Sequence, residues 1–161
     1  MLVTAVAFPT IVLAIHILFV VGAFGIVIGY PVILLAAERL DRRAMPVLHR
    51  VRVNLGPSLV NPGLLVVVIA GVYLASHLHQ WSHFYVQWGI GAAVAIGALE
   101  GSFVIPQERR TAELASRDIE TAGDGEVEWG GDYVAARNRA SLVGWLMALL
   151  VAATVVVMTV Q

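Results

Sequence analysis

Five polar or ionisable residues interrupt long apolar stretches of this chain, and they are the first candidates for chemistry. They are His16, Glu100 and, with weaker claims, Tyr30, Asn61 and Tyr73. A side chain that can carry charge is costly to keep in an apolar helix, so such a residue is a functional candidate by default. The sequence therefore predicts a small polar interior around Glu100 and His16, with Tyr30 and Asn61 beside them.

Glu100 is the strongest of these candidates. It lies six residues before Pro106 and next to Gly101, so we expect it to border a close helix contact. Arg52 is its expected counter-charge. Two interpretations stay open: a buried ion pair that fixes the register of two helices, or a transport or proton-relay group. Further polar residues expected at similar depth are Tyr30, Ser58, Asn61 and Asn138 or Ser141.

His16 has several possible roles. A neutral imidazole can ligate haem or a metal, relay protons, or hydrogen-bond to a neighbouring helix. At 3.6 residues per turn it lies about 140° from the direction of Gly29, so it faces a different neighbour from that glycine. We expect either a second helix or a cofactor as its partner.

Three more histidines cluster in a short polar segment. His77, His79 and His83 follow an H-x-H-x3-H pattern that could place three imidazoles around copper or zinc, although histidines at a membrane interface are the alternative. Cysteine is absent, which removes disulfides, thiolate nucleophiles, Cys-type zinc sites and c-type haem attachment. Any metal or haem would therefore have to use His, carboxylate or Met as its ligand.

Membrane-spanning helices must position these residues. Hydrophobic residues make up 59% of the chain and charged residues 13%, against about 45–50% and 25% in soluble domains. Asp, Glu, Lys and Arg are absent from 1–37, 53–99 and 140–161. We predict an all-α polytopic membrane protein, a four-helix bundle in one membrane domain. The predicted spans cover about 8–37, 61–76, 83–105 and 139–160, with a cytoplasmic helix and loop at about 106–132.

Arginine predicts the orientation, because basic residues concentrate in cytoplasmic loops. All ten basic residues are arginine: five lie between the first two spans, five between the last two, and none in the hairpin 76–83 or near either end. We expect both termini outside the cytoplasm, in a bacterial cytoplasmic membrane. The arginines are Arg39, Arg42, Arg43, Arg50, Arg52, Arg109, Arg110, Arg117, Arg137 and Arg139.

The second basic segment should contain a helix and a linker. Arg109, Glu113 and Arg117 at four-residue steps favour an exposed helix over about 106–120, after Pro106 closes the third span. Six acids between Asp118 and Asp132 lack the ligand spacing of an EF-hand. We interpret that stretch as a solvated linker and not as a calcium loop.

Small residues recur at the spacing that lets helices approach closely in lipid. The third span carries Gly89, Ala93, Gly97 and Gly101, the fourth carries Ala140, Gly144, Ala148 and Ala152, and the first adds Gly22, Gly25 and Gly29. We predict that these stripes form helix contacts, within one molecule or across a homo-oligomer.

Several local patterns together resemble a known family. They are the run from His16 to Gly22, a Pro62-led second span with Gly71-Val-Tyr-Leu74, a Trp-rich start to the third span and the P-x-x-R-R of residues 106–110. The chain resembles a bacterial family of small predicted four-helix integral membrane proteins of unknown function. That family is distantly similar to copper-resistance D proteins and to membrane-bound protoporphyrinogen oxidases of haem synthesis. The resemblance implies His16 as the position of a haem or metal ligand.

Two departures separate the chain from the oxidase pattern. Val21-Gly22-Ala23 stands where Trp-Gly-Gly usually follows the histidine, and lysine is absent. We therefore expect a non-enzymatic integral membrane protein, either an accessory subunit or a module that handles a small molecule or ion in its polar interior. The alternative is a membrane redox protein that binds b-type haem or copper through His16 or the three clustered histidines.

Other function classes are disfavoured. The sequence contains neither a G-x-S-x-G elbow nor an H-E-x-x-H pair. No basic patch interleaved with aromatic residues suggests nucleic-acid binding. The expected partners are the lipid bilayer and either a second copy of the chain or a larger membrane complex.

Overall fold

A computed structural model describes residues 8–160, which are helical apart from short connections. The helices are α1 (Phe8–Leu40), α2 (Met45–Leu55), α3 (Asn61–His77), α4 (Phe84–Leu99), α5 (Ile105–Ala122) and α6 (Gly131–Thr159). A short 3-10 turn, Arg42–Ala44, precedes α2. Two π-helical turns, Gly56–Val60 and Glu100–Val104, join α2 to α3 and α4 to α5.

Two of the helices are much longer than a single span. Because the π-helical turns do not interrupt the helical path, the chain forms continuous rods over Arg42–His77 and Phe84–Ala122, of 36 and 39 residues. With α1 and α6 they are the four helices, within residues 8–160, that are long and apolar enough to cross a membrane. The expectation that the third helix ends at Pro106 is wrong, since the helix runs on into α5.

Proline explains where the π-helical turns form. Pro62 and Pro106 have no N–H, so the carbonyls four residues earlier, at Ser58 and Ser102, lose their helical donor. In both places the serine hydroxyl donates to a carbonyl one turn further back, at 2.5 Å from Ser58 Oγ to Asn54 O and 2.6 Å from Ser102 Oγ to Ala98 O. The same S-x3-P pattern thus marks both π-helical turns. Their backbone pairing is shifted by one residue, with Asn61 N donating to Gly56 O and Ile105 N to Glu100 O, and this shifted pairing lets the helix pass through the proline.

The four long elements pack as a ring. α1 contacts α3 and α6, and α4 contacts the same two helices, while α2, α5 and the start of α6 continue the bundle beyond the π-helical turns. The apolar core lies between the four spans. Its buried members include Phe24, Leu64, Ile96, Met147 and Val151.

Small residues mediate only some of the predicted contacts. A Cβ atom at Gly63 would lie 3.0 Å from Ala23 Cβ, and one at Gly144 would lie 3.3 Å from Pro31, so α1 approaches α3 and α6 closely at these points. Ala93, Ala140 and Ala148 are buried. Gly97 faces Leu64, and Gly89 lies against Met158.

Other small residues in the stripes make no such contact. A Cβ atom at Gly22, Gly25, Gly29 or Gly101 would meet nothing within 4 Å among the atoms of residues 8–160. Ala152 is exposed. Of the two alternatives for these stripes, a contact within one molecule does not hold for the α1 glycines and Gly101, because their Cβ positions face outward from the bundle. A contact across a homo-oligomer stays a prediction for them.

The segment between α5 and α6 is more ordered than a solvated linker. Asp124, Glu126 and Glu128 are exposed, as that interpretation predicts. However, the Arg43 guanidinium donates to the carbonyls of Gly123 and Gly125 at 2.7 Å, so the backbone of the linker is tied to the turn before α2. The predicted exposed helix is likewise partly buried, since α5 packs along α2.

Candidate functional site

The charged end of the bundle, where α2, α5, the end of α1 and the start of α6 meet, holds most of the buried polar side chains. At its centre Arg52 of α2 forms a bidentate ion pair with Glu100, at 2.5 Å from Nη2 to Oε2 and with a second bond from Nη1 to Oε1. Arg52 is 4% exposed and Glu100 is fully buried. The expected counter-charge of Glu100 is thus confirmed.

A glycine makes room for this ion pair. A Cβ atom at Gly56, in the first π-helical turn, would lie 2.8 Å from Glu100 Oε1 and 2.9 Å from Ile105. The two π-helical turns contact each other, and Glu100 begins the second of them. The local helix geometry therefore brings the Glu100 carboxylate over the Gly56 backbone, where a larger residue would displace it.

A second buried pair lies one helical turn from the first. His49 precedes Arg52 by three residues on α2, and its Nδ1 lies 2.5 Å from Glu108 Oε2 on α5. Its Nε2 lies 3.4 Å from the Tyr133 hydroxyl of α6. All three of His49, Glu108 and Tyr133 are buried. This His–Glu–Tyr group links three helices and was not predicted.

The other residues expected around Glu100 have different partners. The Tyr30 hydroxyl donates to the Leu48 carbonyl, and the Tyr30 ring lies 5.5 Å from the Arg52 guanidinium carbon, within cation–π range. Ser58 donates to Asn54 within its own helix. Asn61 Oδ1 is buried without a hydrogen-bond partner in residues 8–160. Tyr30 therefore joins the site through Arg52, whereas Ser58 and Asn61 do not bind Glu100.

A cavity of about 200 Å³ opens beside the two buried pairs. His49, Arg52 and Glu108 form one wall, and α1 and α6 form the others. Near the ends of those two helices an ion pair between Glu38 and Arg137 joins α1 to α6. Asn138 and Ser141, expected near Glu100, line this cavity instead.

His16 lies far from the charged end and packs on a helix. Its Nδ1 donates to the Val67 carbonyl of α3 at 3.0 Å. The ring rests over Gly71, where a Cβ atom would lie 3.3 Å from His16 Cε1. Of the two partners expected for His16, the structure shows a second helix, and Gly71 gives the imidazole access to the backbone of α3.

The three clustered histidines point to different neighbours. The His77 ring stacks on Tyr73 with centroids 5.8 Å apart, and the His83 ring contacts Tyr85 at 5.4 Å. His79 adopts the left-handed backbone conformation with φ of 57°. Across residues 8–160 no group of three or more His, Cys, Asp or Glu side chains is placed to hold a metal ion. The structure does not bring His77, His79 and His83 together.

Sequence reasoning missed His49 because it lies in a basic segment and not in an apolar stretch. A signal was present, since His49 and Arg52 share one face of α2 at a spacing of three residues. Comparison with protein-family models, curated proteins and solved structures gives no match for this chain. The candidate site is therefore defined by geometry: a small cavity walled on one side by buried acid–base pairs and on the other by apolar helices.

Proposed function

We propose that this chain is a non-enzymatic integral membrane protein of a bacterial cytoplasmic membrane that holds a small molecule in the cavity at its charged end. The four apolar helices support membrane insertion. The arginines lie at the charged end and none lies in the hairpin 78–83. This distribution supports a cytoplasmic charged end with both termini on the opposite side.

The cavity is the observation that carries the proposed binding role. Protein interiors pack densely, and buried charges are costly unless they are paired. If an ion pair served only to fix the register of two helices, apolar side chains could pack against it and leave no cavity. Here Arg52, His49 and Glu108 instead border open space of about 200 Å³. Buried polar groups that converge on a partly apolar pocket are typical of small-molecule sites.

An apolar layer favours binding over open conduction. Phe24, Leu64, Ile96 and Val151 lie in the core between the cavity and the hairpin end, which is the end of the bundle formed by the hairpin 78–83 and the adjoining ends of α3 and α4. They supply no polar groups to replace the hydration shell of an ion, so an ion passing this layer would lose its water without compensation. The role of a small-molecule-handling module therefore fits this conformation better than that of an open channel.

Single cysteines test the topology, because the natural chain contains none. Ser82→Cys in the hairpin and Asp124→Cys in the linker are both at exposed positions. In intact cells a membrane-impermeant maleimide should label Ser82→Cys only, and permeabilisation should expose Asp124→Cys. Labelling of Asp124→Cys in intact cells would reverse the proposed orientation.

Mass spectrometry of the intact protein released from mild detergent tests the binding role. The unaltered protein should carry an adduct that is neither phospholipid nor detergent, and the double variant Arg52→Gln with Glu100→Gln should lose it without leaving a buried unpaired charge. Arg50→Gln is the matched control, since Arg50 is exposed on the same helix. Equal adducts in all three proteins, or none in any, would count against the cavity as a binding site.

A further inference from the structure

The mouth of the cavity lies between α1 and α6. The lining residues on α2 and α5, such as Met45, His49 and Arg52, are buried, whereas Leu35 and Asn138 on α1 and α6 keep exposed surface. An exposed apolar side chain, Leu35 at 43% exposure, lies at this mouth, and on α6 Leu142, next in the chain to the lining residue Ser141, is 62% exposed. In the proposed topology such surfaces face lipid, so a ligand can reach the cavity from the bilayer.

On the side of the mouth that faces the aqueous phase, an ion pair joins α1 to α6. Glu38 and Arg137 lie nearer the helix ends than Leu34, Leu35 and Ser141, and their ion pair joins α1 to α6 there. The easier path to the cavity therefore runs past apolar side chains. A lipid-soluble ligand fits this path better than a strongly hydrated one, which would have to shed its water.

Inside the cavity Arg52 has unused hydrogen-bond donors. A guanidinium carries five N–H groups, and two of them bond to Glu100. The other three have no acceptor among residues 8–160, although Arg52 is 4% exposed and lines the cavity. A hydrogen-bond acceptor on a ligand could pair with these donors, which belong to a largely buried side chain that lines the cavity.

Charge balance argues against an ionic ligand. Each basic side chain at the cavity already faces a carboxylate: Arg52 faces Glu100, His49 faces Glu108 and Arg137 faces Glu38. A charged ligand would add an uncompensated charge to a buried site, which is strongly unfavourable. The remaining lining is largely apolar, with Pro31, Leu34 and Met147 among its members.

We propose that the cavity binds an uncharged, lipid-soluble molecule bearing a hydrogen-bond-accepting carbonyl, such as a quinone ring, through the free N–H groups of Arg52. This proposal rests on the proposed function and specifies its ligand class. The carbonyl oxygen accepts from Arg52, the apolar body contacts the α1 and α6 walls, and the ligand arrives between those helices. The step is binding only and involves no electron transfer.

A matched set of probes tests the proposal on the full chain in lipid nanodiscs. The probes are 2-methyl-1,4-naphthoquinone, 2-methylnaphthalene, which lacks the carbonyls, and 2-naphthoate, which is an anion. Equilibrium dialysis against empty nanodiscs corrects for partition into lipid. The quinone should bind, and 2-methylnaphthalene should bind about 10-fold to 100-fold more weakly, as expected for loss of a hydrogen bond to a charged donor. 2-Naphthoate should also bind more weakly than the quinone, because its charge would be uncompensated in the site.

Variants locate the binding. The pair Arg52→Gln with Glu100→Gln should reduce quinone binding to the level of 2-methylnaphthalene, while Arg50→Gln should bind like the unaltered protein. Leu34→Trp, which fills the apolar wall, should also abolish quinone binding and leaves the ion pairs intact.

The outcomes separate this proposal from the proposed function. Tighter binding of 2-naphthoate, or equal binding of the hydrocarbon, overturns the ligand class but leaves a small-molecule site standing. Quinone binding that is unchanged in Leu34→Trp overturns the assigned cavity. The probe series with the unaltered protein decides the ligand class even if the double variant does not fold.

Discussion

At the charged end, acidic and basic side chains from different helices meet in buried pairs. In the other half of the bundle, the polar contacts between helices are single hydrogen bonds without charge pairing, from His16 to the Val67 carbonyl and from Trp88 to Thr154. Arg52–Glu100 and His49–Glu108 are separated by 48 and 59 residues along the chain. His77 instead stacks on Tyr73, four residues away on the same helix. Long-range polar contacts thus hold the charged end together.

This difference implies a different response of each end to substitution. Buried ion pairs contribute little net stability, but removing one partner leaves an uncompensated charge. Substitution of exposed side chains usually changes the free energy of unfolding little, whether it removes a contact or a charge. The charged end should therefore be the sensitive part of the molecule, and four substitutions test that contrast.

Arg52→Gln should have the largest effect, because it leaves the Glu100 carboxylate buried without a counter-charge. We expect a loss of about 3 to 5 kcal/mol in the free energy of unfolding, measured by thermal melting in detergent. Arg50→Gln, on the exposed face of the same helix, should melt like the unaltered protein. Adding Glu100→Gln to Arg52→Gln should recover most of the lost stability, because no buried charge is then left unpaired. If Arg52→Gln and Arg50→Gln melt at similar temperatures, the contrast between the two ends does not hold.

Gly56→Ala should have the next largest effect. The added Cβ atom would lie 2.8 Å from Glu100 Oε1 and 2.9 Å from Ile105, so the carboxylate or the helix must shift. Overpacking of this kind costs about 1 to 3 kcal/mol. Gly22→Ala is the control, since its Cβ meets nothing within 4 Å and should cause no loss. The proposed packing of Glu100 on Gly56 is wrong if both variants melt alike.

His16→Leu sharpens the comparison between the ends by altering a polar contact outside the charged end. It removes the hydrogen bond to the Val67 carbonyl while keeping an apolar side chain over Gly71. We expect a loss of about 1 kcal/mol, typical of one hydrogen bond, in the same melting assay. A loss as large as that of Arg52→Gln would show that His16 has a role beyond packing.

His77→Ala should have the smallest effect. His77 is exposed and contacts Tyr73 within its own helix, so we expect a change within about 0.5 kcal/mol. Adding Cu²⁺ or Zn²⁺ should leave the melting temperature of the unaltered protein close to that of His77→Ala. A metal-dependent rise in the unaltered protein alone would mean that the clustered histidines rearrange to bind the ion.

The number of apolar helices was predictable, because charge-free stretches of sufficient apolar length mark candidate spans directly. The Arg52–Glu100 pair was predictable too, since a buried carboxylate requires a cation and Arg52 flanks the nearest apolar stretch. Both inferences depend on local sequence and on the cost of an unpaired charge.

The rest required the tertiary structure. Pro106 was interpreted as a helix end, because proline normally stops a helix, yet the S-x3-P pattern lets the chain continue through a π-helical turn. His49 meets Glu108 only because α2 packs along α5. The cavity is a gap between four helices, and no single segment encodes it.

The π-helical turns also have a mechanical consequence. On the charged side of these turns, α2 and α5 have 11 and 18 residues and are about 17 and 27 Å long. A pivot of only 10° at the second turn would swing the far tip of α5 by about 5 Å. Arg43 hydrogen-bonds the linker after α5 to the turn before α2, so the two helices would move together as one rigid unit.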